Sequence, residues 1–184
     1  CVSSLDEFSA GEVYVDGEPL SEMSDKQRTE MRAKRLGYVF QSFNLIPVLS
    51  AAENVELPLI MQGVAPKEAR QRALQALEAV GLEDRGGHLP AELSGGQQQR
   101  VTIARAFVHD PAVILADEPT GNLDTTTSES IMDLLVDLNH ERQITFVLVT
   151  HEEGIAKRCT RLVNVRDGLI VSDEKVTAEV DEEE

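Results

Sequence analysis

Apolar and polar positions alternate through GEVYVDG (11–17) and end on Asp16-Gly17, which predicts a short strand closing in a tight turn. Ser24 with Gln27 three residues later is a capping-box pattern that opens a charged helix to about Arg35. LGYVF (36–40) predicts a short buried strand, and Gln41 begins a loop. Ser50 with Glu53 repeats the capping pattern and opens a helix that Pro58 should bend or end. Pro66 suits the first turn of a helix that closes at Gly81, and EDRGGHLPAEL (83–93) predicts irregular connection. From Ser94 a helix runs through GGQQQRVTIARAFVH to the break at Asp110-Pro111. AVILA (112–116) is a wholly apolar strand followed by DEPTGNLD (117–124). Ile131, Leu134, Leu135 and Leu138 then mark one helical face, and ITFVLVT (144–150) predicts the next buried strand. Strand, crossover helix and strand make a βαβ unit, so the fold class is α/β with a parallel sheet covered by helices. RLVNV (161–165) and LIVS (169–172), joined by Asp167-Gly168, predict a hairpin. The tail TAEVDEEE (177–184) is expected to be disordered, because its charges repel and it has little to bury.

At 184 residues and 41% hydrophobic, the chain can bury one core, or one core with a lobe. Its formal net charge of -16 repels phosphate backbones and argues against nucleic acid as a partner. Adaptation to high salt and an ordinary acidic cytosolic surface both fit that charge. Cys1 and Cys159 have no metal-ligand spacing; two separate thiols suit a reducing compartment, a single disulfide being the alternative. No apolar run reaches membrane-span length, and no signal peptide opens the sequence.

Chemistry concentrates where the predicted strands end. Asp117 and Glu118 follow five apolar residues, which places two carboxylates at the carboxyl edge of a parallel sheet, where open α/β folds bind ligands. Asp117 is a candidate Mg²⁺ ligand through water, and Glu118 a candidate for orienting or deprotonating an attacking water. The next strand ends in Thr150 and His151, so His151 and Glu118 should converge. Gln41 ends the strand before them and suits metal coordination or water positioning; a plain polar loop residue is the alternative. Ser94 can cap its helix and Gln97 can close the box, while Gly95 and Gly96 leave amide hydrogens open to an anion at the positive end of the helix. A capped helix whose glycines merely permit close packing is the competing account.

LSGGQQQRVTIARAF (93–107) resembles the signature motif of ATP-binding-cassette (ABC) ATPases, and VILADEPTGNLD (113–124) resembles their Walker B and D-loop. YVFQSFNLIP (38–47) is similar to the Q-loop and LVTHE (148–152) to the switch-histidine segment. The wording is most similar to the subfamily serving lipoprotein-release and macrolide-efflux-type exporters. The resemblance implies a P-loop NTPase-like (RecA-like) fold with a helical subdomain, ATP and Mg²⁺ as cofactors, and ATP hydrolysis coupled to an integral membrane permease, in the export direction. It makes Asp117 the magnesium carboxylate, Glu118 the residue activating water, His151 a γ-phosphate contact, and Gln41 the link from metal site to transport subunit. Ser94, Gly95, Gly96 and Gln97 would close on nucleotide held by the opposite subunit of a homodimer or heterodimer, and Asp124 would communicate across that dimer. The implied division is a partial core over 1–50, a helical subdomain over 51–92 receiving the permease's coupling helix, the rest of the core over 93–173, and an acidic tail over 174–184. Phe43, Leu45 and Ile46 would line the permease contact or belong to the lobe's core. The implied location is the cytoplasmic face of the cell membrane, bound peripherally.

A G-x-x-x-x-G-K-[ST] P-loop is absent: no lysine of this sequence follows a glycine. SSLDEFSAGEVYVDG (3–17) resembles the stretch following the P-loop helix, so the expectation is a truncated sequence lacking the P-loop strand and helix, inactive alone. LGYVF and AVILA would then lie along an unpaired edge. A degenerate subunit giving only its signature turn to a partner's site is the alternative.

Overall fold

The computed structural model describes residues 10–176. Residues 1–9 and 177–184, and with them Cys1 and the TAEVDEEE tail, lie outside the described residues.

The described residues begin with a short hairpin of two-residue strands, β1 (Tyr14–Val15) and β2 (Glu18–Pro19), turned at Asp16 and Gly17, both of positive φ. Helix α1 (Asp25–Arg35) leads into β3 (Leu36–Phe40). Helices α2 (Ala51–Met61), α3 (Pro66–Ala79) and α4 (Gly95–Phe107) intervene before β4 (Val113–Asp117), and α5 (Thr125–Arg142) carries the chain to β5 (Thr145–Val149). A single helical turn, α6 (Glu153–Ala156), precedes the antiparallel hairpin β6 (Arg161–Arg166) and β7 (Leu169–Lys175). Strands β3, β4 and β5 form one parallel sheet in that order.

The capping pairs Ser24–Gln27, Ser50–Glu53 and Ser94–Gln97 all form, each serine accepting from the backbone of its partner. Pro66 starts α3, and Gly81, at φ 71°, follows its end. Pro58 lies inside α2, which runs one turn further to Met61. Burial of the next residue, Leu59, against the core offsets the backbone bond that proline cannot donate. Buried Asn54 accepts from the Ile46 N–H and donates to the carbonyls of Ile46, Leu49 and Ser50, fixing the loop between β3 and α2.

The core lies on one face of the sheet. Val39, Ile114 and Ala116 pack with Val101, Ile103, Ala104 and Phe107 of α4, with Ile131, Met132, Leu135 and Leu138 of α5, and with Val55, Leu59, Ala73 and Leu77 of the α2–α3 lobe. On the opposite face Leu36, Tyr38, Val113 and Leu115 meet Val15, Leu20 and Met31. That second cover stops short of β5. Phe146 and Leu148 join the main core, but Val147 and Val149 are 44% and 59% exposed. The 144–150 strand is therefore half-buried rather than buried, its open face having no layer on it among the described residues.

The position of AVILA also differs from expectation. It is the central strand, paired on both sides, so among the described residues the sheet's outer edges belong to β3 and β5. Strand β7 runs to Lys175, past the expected start of the acidic tail at 174. Glu174 pairs with Leu162 and Lys175 with Arg161, and Asp173 accepts two hydrogen bonds from the Arg161 guanidinium.

One contact fixes how α4 lies on the sheet. A Cβ at Gly37 would sit 2.2 Å from the Ala106 carbonyl oxygen and 3.0 Å from Ile114 Cγ1. Neither neighbour is a free side-chain end. Gly37→Ala should destabilise the fold by about 3 kcal/mol or more, since backbone must move to admit the methyl. Thermal or urea unfolding of the variant against the parent checks this.

Candidate functional site

Register decides which residues meet. Phe40 pairs with Asp117, and Asp117 with Val149, so Gln41, Glu118 and Thr150 leave the sheet side by side at its carboxyl edge. Asp117 ends β4 and is exposed.

Glu118 takes a left-handed conformation, φ 44°, unusual for a residue with a side chain. Its N–H donates to the Val149 carbonyl at 2.9 Å, continuing the ladder into the turn. Its Oε1 accepts from the His151 backbone N–H at 3.2 Å and lies 2.7 Å from His151 Nδ1, while Thr150 Oγ1 is 3.4 Å from Oε2. A carboxylate only accepts, so Nδ1 carries the proton and Nε2 keeps either a lone pair or, in the imidazolium, a second N–H. The Glu118 side chain is 19% exposed and that of His151 78%, so the carboxylate is tucked in and the ring faces outward. The hydrogen bond to Glu118, then its charge, raise the His151 pKa above its ordinary value.

Gln41 is drawn to the turn beyond Glu118. Its backbone carbonyl accepts from Asn122 Nδ2 at 2.9 Å, and its Nε2 is 3.4 Å from Asn122 Oδ1. A Cβ at Gly121 would lie 2.7 Å from that Nε2, so this glycine makes room for Gln41.

The Ser94 turn caps α4. Ser94 Oγ accepts from the Gln97 N–H, and Gln97 Oε1 accepts from the Ser94 N–H at 3.0 Å. The glycines inside it are crowded. A Cβ at Gly96 would be 2.6 Å from Thr127 Cγ2, and one at Gly95 would be 3.4 Å from Leu123 Cδ2 and 3.8 Å from Phe43 Cζ. Close packing is thus one reason for glycine here, alongside amides at a helix N-terminus that face no acceptor of their own helix.

Asp124 is the N-cap of α5. Its Oδ1 accepts from the Thr127 N–H at 3.0 Å and its Oδ2 from Thr127 Oγ1 at 2.6 Å, and these bonds lower its pKa. Thr127 therefore caps through its hydroxyl and packs on Gly96 through its methyl. Of the apolar loop residues, Leu45 packs on the main core, Ile46 is 39% exposed, and Phe43 approaches Gly95. Arg105 donates to the carbonyls of Asn44 and Phe43, both residues of positive φ.

The strand-end residues Gln41, Glu118 and His151 thus gather around one turn, and the Ser94–Gln97 turn rests on the residues after it. Sequence reading missed the supports: Asn122, Leu123, Thr127 and Gln99, whose amide reaches the Pro119 carbonyl. Only Thr127 left a signal, lying three residues after an aspartate at the head of a helical pattern.

Comparison with known proteins is consistent over most of the chain. Residues 1–121 match the family model described as ABC transporter. An uncharacterised ABC transporter ATP-binding protein of Bacillus subtilis is 54% identical over 92% of this chain and 74% of its own. The lipoprotein-releasing system ATP-binding protein of Bacteroides thetaiotaomicron is 48% identical over 94% of this chain and 79% of its own. The ATP-binding cassette MJ0796 of Methanocaldococcus jannaschii, solved as a dimer in a post-hydrolysis state with ADP and Pi, superposes with a TM-score of 0.82. It is 45% identical, with 95% of this chain and 77% of that one covered.

Two measurements follow from the geometry. Glu118→Gln removes the charge facing His151, so the imidazole pKa should fall toward its ordinary value, read by NMR titration. The imidazolium–carboxylate contact is fully present below the ordinary imidazole value and lost as pH climbs through the raised one, so its contribution disappears on the alkaline side. Gly96→Ala should destabilise the fold by about 1–3 kcal/mol, and adding Thr127→Ser, which deletes Cγ2 but keeps the capping hydroxyl, should recover most of that loss in unfolding experiments.

Proposed function

We propose that this chain, which belongs to the ABC transporter ATP-binding family of ABC-type ATPases, binds and hydrolyses Mg²⁺·ATP in a dimer and drives an integral membrane permease in the direction of export. The observation that carries the catalytic part is Glu118: a carboxylate held at the sheet's carboxyl edge, hydrogen-bonded to His151, beside Asp117.

Phosphoryl transfer to water asks the protein for positioning and charge neutralisation. Glu118 accepts a proton from, or orients, the attacking water. His151, with Nδ1 committed to Glu118, presents Nε2 outward, and the raised pKa favours the form in which Nε2–H donates to an anionic phosphate oxygen. Asp117 at the strand end, with Gln41 nearby, fits Mg²⁺. That ion keeps waters and phosphate oxygens and needs only one or two protein carboxylates, and no cluster of three or more metal-ligating side chains exists among the described residues. When bound, the ion neutralises charge on the transferring phosphoryl group. Ser94, Gly95, Gly96 and Gln97 close on nucleotide held by the opposite subunit, and Asp124 stands at the same contact.

A permease contact is supported by an apolar groove of about 550 Å³ beside the 41–44 loop, lined by Phe40, Leu57, Pro58, Met61 and Arg105 among others. Met61 is 82% exposed at its rim. An amphipathic helix would cover such a groove. This chain would then work at the inner membrane surface as a peripheral subunit; no helix of the described residues is long and apolar enough to cross a membrane.

ATPase assays on the complete protein test the reading. Glu118→Gln should lower kcat by about 100-fold or more with a much smaller change in KM. Undiminished turnover would assign the water-activating role elsewhere. Absence of turnover in the parent, restored only by pairing with a second ATP-binding chain, would favour a subunit that gives just its signature turn.

A further inference from the structure

We propose that Gln99 is a positioning residue: its side-chain amide fastens the turn that presents Glu118 to the helix bearing the Ser94–Gly96 turn, so that movement of that helix resets Glu118 of the same chain. The inference rests on the role given to Glu118 above.

Gln99 is fully buried in α4, three residues beyond Gly96 and so on the same side of the helix. Its Nε2 donates to the Pro119 carbonyl at 2.6 Å, while its Oε1 is buried with no partner among the described residues. An amide that leaves one of its two polar ends unpaired is a poor choice for packing; methionine would fill similar space without that cost. What the amide alone supplies is the donor to Pro119.

That donor acts on a turn with little slack. Glu118 sits at φ 44°, a conformation that persists only when its surroundings over-determine it. Before it, the Glu118 N–H is tied to Val149; at its side chain stands His151; after it, Ser128 Oγ approaches the Thr120 carbonyl at 3.4 Å. The proline ring fixes φ of residue 119, and the Gln99 bond fixes the direction of its carbonyl. The Glu118 carboxylate is therefore referenced to β5, to α5 and, through Gln99, to α4. When the Ser94–Gly96 turn engages a phosphate, displacement of α4 reaches Glu118 through this bond. Gly96 against Thr127 transmits the same displacement sterically to the start of α5.

The test uses the complete protein carrying Gln99→Met, with Gln99→Asn, which retracts the amide by one carbon, as a second variant should the first fold poorly. Titration of His151 by NMR reads where Glu118 stands, without any turnover. The imidazole pKa should fall from the parent's raised value toward that of Glu118→Gln, and an unchanged titration in a folded variant overturns the proposal. Mixed dimers then locate the effect. With Glu118→Gln in one subunit, Gln99→Met placed in the other subunit should lower ATP turnover by about 10- to 100-fold, whereas in the same subunit it should cost nothing. Equal loss in both arrangements, or loss in neither, overturns it. A parent protein without turnover would refute the catalytic reading of Glu118, while the titration would still decide whether Gln99 positions it.

Discussion

Parallel pairing of β3, β4 and β5 puts Phe40, Asp117 and Val149 on one line, and the residues with reactive side chains follow directly from it. Gln41, Glu118 and His151 are separated by 77 and 33 positions in sequence, and the strand register sets them at one edge before any side-chain bond joins them. Register is held by burial, since Val39, Ile114, Ala116 and Leu148 must all face the core. A slip by one residue would turn each outward and scatter the site. The apolar strands are thus the positioning device, and the polar residues need only come next.

A second constraint is steric. Gly37, Gly96 and Gly121 each lie where a methyl would strike a neighbour, at Ala106, Thr127 and Gln41 respectively. These contacts join β3 to α4, α4 to α5, and the 41–44 loop to the turn after Glu118. Close approach without side chains leaves little room to rearrange one element alone, so interlocked parts shift together. A glycine-bearing turn that packs tightly on its inner side is suited to passing on small displacements.

Sequence patterning revealed most of the elements, because capping pairs and apolar runs are local. Ser24, Ser50 and Ser94 mark helix starts that form as the pattern requires. Strand order was not local, and there the reading erred: AVILA lies in the middle, and the exposed face belongs to Val147 and Val149. Composition cannot say which of two equally apolar strands has neighbours on both sides. The convergence of His151 on Glu118 could be anticipated from two strands ending at one edge. Its supports could not: Asn122, Thr127 and Gln99 are polar residues of ordinary type whose meaning comes from what folding sets beside them. Asp124 shows the same limit, since both its oxygens are committed to Thr127 as a helix cap.

Charge balance limits how such a site can work. Asp117, Glu118 and Glu152 stand at the sheet edge, and Glu118, through its hydrogen bond and charge, with a smaller contribution from the charge of Glu152, raises the pKa of His151. One imidazolium cannot offset the carboxylates and also a polyphosphate, within a chain of formal charge -16. A phosphate ester therefore approaches this edge only with cations of its own, as a divalent metal complex, or against amides and basic groups outside it. The Ser94–Gly96 turn offers uncharged N–H donors at the positive end of a helix, a kind of partner that needs no counter-charge. The strand-end carboxylates and the helix-end amides lie on elements joined by Gln99 and Thr127. That division keeps like charges apart until a nucleotide brings the compensation with it.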